Sequence, residues 1–108
     1  MNSFTGKWLI EEMELWDRDF IDLVERGHFT FESDGNGFFN FGAVSGYMDC
    51  KINKDRLEFT FEGEDEGDSA SGYGHVNLLD GDKLSGRIYF HQGDDSGFTA
   101  VRDEGIQT

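Results

Sequence analysis

The sequence predicts an all-β protein: an antiparallel up-and-down meander of about eight short strands, closed into a small barrel, with one short helix after the first strand. Three observations carry this. Glycine-rich punctuation recurs about every eight to twelve residues, the rhythm of a sandwich or barrel, and proline is absent. Between the breaks, apolar and polar residues alternate with the period of a half-buried strand. The chain has only 108 residues yet holds 11 Phe, 2 Trp and 3 Tyr, enough bulk to fill one core. An open sheet or β-sandwich fits the same periodicity. Closure into a barrel is preferred because it removes exposed strand edges.

The strands are expected near 5–13, 28–33, 38–44, 47–52, 57–62, 73–79, 84–91 and 98–102, all within one domain spanning 1–108. After the first, ELWDRDFIDLVER (14–26) breaks the alternation. Trp16, Phe20, Leu23 and Val24 lie at helical spacing, and Asp17 is placed to cap them. A Gly35-Asn36-Gly37 loop then pairs Phe31 with Phe41 and Phe29 with Ala43. A Ser45-Gly46 turn pairs Ala43 with Met48, Phe41 with Cys50 and Phe39 with Ile52. A Lys54-Asp55 turn pairs Ile52 with Leu57, Cys50 with Phe59 and Met48 with Phe61, setting Lys51 opposite Glu58 on the wet face. A three-residue Gly81-Asp82-Lys83 loop pairs Val76 with Ile88 and Gly74 with Phe90; a two-residue turn would mix polar and apolar residues on both faces. The last strand turns Phe98 and Ala100 inward. A one-residue slip anywhere would exchange the faces.

Charge narrows the partners. Asp and Glu number 23 against nine Lys and Arg, a formal net charge of −14. Bare nucleic acid and anionic membrane both need a basic surface, so neither is expected. A basic protein surface or a small molecule remains. No apolar run approaches the roughly 20 residues that span a bilayer, and no charged segment precedes an apolar leader. The expectation is a soluble cytoplasmic protein. Cys50 is alone, so no internal disulfide forms, and strand parity turns it toward the core, where a thiol is a poor nucleophile.

Two resemblances add to this. FTGKW (4–8) resembles the G-x-W opening of the first strand in calycins, the lipocalin and fatty-acid-binding barrels. In that family a basic residue from the last strand packs across the Trp, and Arg102 in TAVRD occupies the corresponding place. The resemblance implies a closed barrel end built from Gly6, Trp8 and Arg102. The segments ELWDRDFID (14–22), FEGEDEGDSASGYG (61–74) and GRIYFHQGDDSGF (86–98) resemble a group of small bacterial proteins of unknown function. That resemblance implies a bacterial origin.

Topology locates a candidate site. In a meander, alternate loops share an end, so 14–26, 45–46, 63–72 and 92–97 gather together. That end is strongly acidic, with only Arg18 and Arg26 opposing its carboxylates, and long loops are where function is usually carried. The candidate binding residues are Trp16, Asp17, Asp19, Asp65, Glu66, Asp68, His91, Asp94 and Asp95. The reading is a non-enzymatic binding or interaction protein that turns this end toward a cationic partner. A small-ligand barrel of calycin type is the alternative, and needs a cavity reached from the acidic end. A metal-assisted hydrolase using His91, Asp94 or Asp65 is the second alternative. No catalytic residue, cofactor or metal is assigned. DRDFID and EGEDEGD lack the spacing of a calcium loop, GNGFFN and GYGHVN are turn and strand glycines, and no G-x-S-x-G elbow occurs. In FHQGDDSGF (90–98), Phe90 and Phe98 point inward, and Asp94, Asp95 and Ser96 satisfy turn backbone groups.

Overall fold

A computed structural model of the chain describes residues 3–103. Eight strands run β1 (Gly6–Met13), β2 (His28–Phe31), β3 (Asn36–Phe41), β4 (Val44–Asn53), β5 (Arg56–Asp65), β6 (Asp68–Asp80), β7 (Lys83–Phe90) and β8 (Asp95–Arg102), with helix α1 (Arg18–Ile21) after β1. Each strand is antiparallel to the next, and β8 returns to β1, so the meander closes into a barrel. Among the described residues no helix is long and apolar enough to cross a membrane.

The inward faces are those the alternation marks, but three of the registers differ. The β4–β5 pairing is as expected, with Ile52 opposite Leu57, Cys50 opposite Phe59, Met48 opposite Phe61 and Lys51 opposite Glu58. Between β3 and β4 the turn falls at Gly42-Ala43 rather than Ser45-Gly46, so Phe41 meets Val44 and Phe39 meets Gly46. Between β2 and β3, Phe29 meets Phe39 and Phe31 meets Gly37. Between β6 and β7 a two-residue Gly81-Asp82 turn replaces the three-residue loop, and Leu78 meets Leu84 and Gly74 meets Ile88. A bulge at Leu79 absorbs the odd residue and keeps the apolar face intact. Every slip is even-numbered, which is why the faces survive.

The registers that win set phenylalanines opposite glycines. Phe31 faces Gly37, Phe39 faces Gly46, Phe59 faces Gly74, Phe61 faces Gly72 and Phe98 faces Gly86. An eight-stranded barrel is just wide enough for its own side chains, and the Phe39, Phe59, Phe61 and Phe98 rings take the space that their glycines leave. A Cβ at Gly46 would stand 2.8 Å from the Phe39 ring, and one at Gly86 would stand 2.9 Å from the Phe98 ring. Phe29 of β2 lies 6.1 Å from Phe59 of β5 and 4.6 Å from Phe98 of β8, centroid to centroid. Phe41 of β3 reaches Phe90 of β7 at 6.2 Å. Opposite walls therefore touch through their rings. The cavity needed by a small-ligand barrel is filled at these levels, and the main depressions open on the outer surface.

The two ends close differently. At one, the Arg102 guanidinium lies 4.2 Å over the Trp8 ring, and its Nη1 and Nη2 donate to the carbonyls of Thr5 (3.0 Å) and Ser3 (2.9 Å). Trp8 Nε1 donates to the Phe4 carbonyl at 2.8 Å. Gly6, at a φ of +127°, keeps the chain clear of Arg102, whose Nη1 a Cβ there would meet at 2.9 Å. At the other end Trp16 packs 5.4 Å from Phe41 and stacks on Phe20 at 5.7 Å, covering the mouth.

The helix is shorter than the apolar spacing implies. Asp17 does cap it, its Oδ1 accepting from the Phe20 amide at 3.0 Å. It stops because the Ile21 carbonyl accepts from Gly42 in the β3–β4 turn (2.9 Å) instead of continuing the helical ladder. Ile21 is buried, whereas Leu23 and Val24 are 60% and 66% exposed, so the expected stripe holds only at Trp16 and Phe20. Two expected loops are also partly strand. Residues 63–72 form a hairpin extension with a tight turn at Glu66 and Gly67, both at positive φ (+54° and +89°). Ser96 lies fully buried in β8, accepting from the Leu15 amide (3.1 Å) and donating to the Gly97 carbonyl (2.9 Å).

Replacing Gly74 by Ala is expected to destabilise the barrel by about 1–3 kcal/mol through overpacking, because its Cβ would meet both the Phe59 ring and the Arg87 carbonyl at 2.5 Å. Urea unfolding of the variant beside the parent measures this; equal midpoints would show that the Phe–Gly contact is slack.

Candidate functional site: an aromatic and acidic outer face

The outward parity of β2 to β5 builds one continuous surface at the acidic end. Its rows follow from the registers. His28 pairs with Asn40, Asn40 with Ser45, and Ser45 with Glu64. Beside them Phe38 pairs with Tyr47, and Tyr47 with Glu62. Tyr47 is 78% exposed, and Phe38 is also exposed. Large aromatics on the wet side of a sheet contribute nothing to the core, so they stand out as a patch.

Between these residues lies a depression lined by Glu25, His28, Phe38, Asn40, Ser45 and Tyr47. His28 is only 5% exposed. Its Nδ1 lies 3.0 Å from the Arg26 carbonyl and 3.7 Å from Glu25 Oε1. An Nδ1–H can donate to that carbonyl. The His28 ring stands edge-on to Phe38 at 6.0 Å. Asn40 keeps its Oδ1 buried with no hydrogen-bond partner.

The acids of this end fall into two groups. One is already neutralised by structure. Asp22 holds both Arg18 and Arg26 at 3.3 Å, and Arg18 also donates to the Ile10 and Glu11 carbonyls. Glu14 and Asp95 share Arg87, at 2.9 and 2.6 Å. The other group has no ion-pair partner among the described residues: Glu62, Glu64, Asp65, Glu66 and Asp68 on the β5–β6 hairpin, with Asp19 and Asp94 nearby in sequence to α1 and β8. Lys51, Lys54 and Arg56 belong to the opposite half of the β4–β5 hairpin.

The residues singled out from sequence divide accordingly. Asp65, Glu66 and Asp68 sit at the hairpin tip, next to the depression through the Ser45–Glu64 pairing. Asp17 is consumed as a helix cap, Asp95 as the partner of Arg87, and Trp16 as the cover of the barrel mouth. His91 and Asp94 lie in the β7–β8 turn, both exposed, with the His91 amide donating to the Ser71 carbonyl at 2.7 Å. His91 lines one outer depression with Glu62, Asp65 and Asp68, whereas Asp94 is not part of its lining; among the described residues no group of three or more His, Cys, Asp or Glu is arranged to hold a metal ion. Gly6, Trp8 and Arg102 lie at the far end. Sequence reasoning missed Glu25, His28, Phe38, Asn40, Ser45 and Tyr47. Phe38 and Tyr47 carried a signal, since both fall on the polar parity of their strands.

A second depression, on the outside of β4 to β7, is lined by Asp49, Lys51, Arg56, Glu58, Tyr73, His75 and Tyr89. Tyr73 and Tyr89 are directly paired and stack at 4.7 Å. Burial and the neighbouring Arg56 and Arg87 lower the His75 pKa against the opposing pull of Glu58, which favours the neutral ring. Carboxylates and cations alternate here, so this face has little preference for either charge. Cys50 is half-buried against the core, and burial, with Asp49 beside it, pushes its thiol up to about 11.

In comparisons with known proteins, the chain matches no family model, no curated protein and no solved structure.

Two expectations follow from the titrating groups. With a pKa of about 11, the Cys50 thiol should react with a thiol-specific reagent at pH 7.5 far more slowly in the folded protein than in urea; equal rates would contradict its shielding. Burial pushes the Asp22 carboxyl up, but the Gly27 amide and the Arg18 and Arg26 guanidinium groups outweigh it and hold the pKa below 3.8. A depressed carboxyl stabilises the fold above its unfolded pKa, and that contribution fades as pH falls through the folded value. Asp22→Asn should therefore be less stable than the parent at pH 7, with the gap narrowing below about pH 4; a gap independent of pH in urea melts would count against this.

Proposed function

We propose that this chain is a non-enzymatic binding module that holds a cationic partner on the acidic face of β2 to β5. The observation that carries the reading is the set of carboxylates on the β5–β6 hairpin, Glu62, Glu64, Asp65, Glu66 and Asp68, without ion-pair partners among the described residues and beside exposed Tyr47 and Phe38. The arginines of this end, Arg18, Arg26 and Arg87, are already bound to Asp22, Glu14 and Asp95, so they do not quench the hairpin. An exposed ion pair contributes only about 0–1 kcal/mol, so recognition needs several carboxylates acting together. An exposed aromatic face adds roughly 0.5–1 kcal/mol for a cation over its ring. A basic protein surface meets both demands. The stack of Arg102 on Trp8 supports reading the barrel as calycin-like. The setting we propose is the bacterial cytoplasm.

Binding of poly-L-lysine, measured by calorimetry, tests the reading. Association is expected at low salt and should weaken steeply as ionic strength rises past about 0.1 M, where the screening length is about 10 Å. Neutralising the tip by Glu64→Gln, Asp65→Asn, Glu66→Gln and Asp68→Asn together should lower the affinity at least about tenfold, or about 1.4 kcal/mol. Affinity unchanged by these substitutions, or no association at low salt, would reject it.

A further inference from the structure

Phe38 and Tyr47 are directly paired across β3 and β4, as Tyr73 and Tyr89 are across β6 and β7. The second pair closes into a stack at 4.7 Å, whereas the first makes no ring contact with each other among the described residues. Phe38 instead turns its edge to His28. A slot remains between two aromatic side chains, and it belongs to the depression that Glu25, His28 and Asn40 also line.

The charged groups around it favour a cation. His28 is 5% exposed, with its Nδ1 3.0 Å from the Arg26 carbonyl, and it lines the depression together with Asn40. Glu25 is exposed, its carboxylate 3.7 Å from His28 Nδ1. Glu62 and Glu64 flank Tyr47 and Ser45 on the adjoining strand. The arginine nearest in sequence, Arg26, is turned to Asp22 and the Ile10 carbonyl. The slot is thus lined by aromatic side chains and bordered by carboxylates.

We propose that this slot is the anchor of the acidic face and takes one arginine side chain of a basic protein partner. A guanidinium is planar, stacks on aromatic rings and spreads five N–H donors in one plane. An ammonium is a compact point charge that gains from the surrounding carboxylates but less from the slot. The inference rests on the cationic-partner reading above and adds a preference for arginine over lysine.

Hexaarginine and hexalysine, titrated separately into the full chain at one low salt concentration, test it. Hexaarginine is expected to bind more tightly by about fivefold or more, within the range of a partly desolvated cation–π contact. Tyr47→Ala should narrow that preference by lowering hexaarginine affinity more than hexalysine affinity, and its high exposure makes the substitution tolerable to the fold. Phe38→Ala, checked for an unchanged melting temperature, serves as the second variant. Equal affinity for the two peptides, or a preference that neither substitution narrows, overturns the arginine slot while salt-sensitive hexalysine binding leaves the acidic face standing. Failure of both peptides to bind overturns both readings.

Discussion

The packing of phenylalanine rings over glycines governs this barrel. Eight strands enclose little more volume than their inward side chains occupy, and the chain supplies 11 Phe to fill it. Rings of this size cannot all face bulky neighbours within one narrow wall. At several cross-strand positions the neighbour is glycine, and at Gly46, Gly72, Gly74 and Gly86 the ring lies in the space that a side chain would otherwise take. Burying each ring contributes about 1.5–3 kcal/mol, whereas forcing extra carbon into such a core costs a similar amount. The observed registers of β2–β3 and β3–β4 carry such pairs, Phe31 with Gly37 and Phe39 with Gly46, rather than following the sites where glycine-containing turns look most natural.

The filled interior decides where chemistry is available. Rings from opposite walls touch, Trp8 and Arg102 close one end, and Trp16 and Phe20 cover the other. The surface open to a partner is therefore the outside of the wall, where charge and exposed aromatics distinguish one face from another. On β4 to β7 opposite charges are interleaved and the tyrosines stack on each other. On β2 to β5 carboxylates with no ion-pair partner among the described residues, Glu62 and Glu64, lie beside exposed Phe38 and Tyr47. The segment 14–27 links these features. Both its arginines are held by one acid, with Asp22 tying Arg18, Arg26 and the Gly27 amide into a compact cover.

Several features were legible in the residues themselves. Alternation assigned the inward and outward faces, because side-chain direction in a strand has a period of two whatever the partner strand does. The tight Lys54-Asp55 turn set the β4–β5 register. Asp17 announced the helix start, since its carboxylate acts on an amide three residues away. The meander placed the acidic loops at one end. The tip residues Asp65, Glu66 and Asp68 could be found in this way, because their position depends only on strand order.

The rest depended on neighbours remote in sequence. An even-numbered slip leaves every face unchanged, so alternation is blind to it, and only packing in the closed barrel selects among such registers. The helix ends at Ile21 because a carbonyl is claimed by Gly42, a partner that no local pattern reveals. Ser96, expected in a turn, is buried where Leu15, just after β1, meets β8 at the seam that closes the barrel. The slot beside His28 exists only because Phe38 lands opposite Tyr47, and Asn40 opposite Ser45. Sequence by itself determined fold class, faces and charge, which follow from local periodicity and composition. Register, end closure and the aromatic slot were decided by tertiary structure, because each is a contact between strands that must first agree on how to fill one narrow interior.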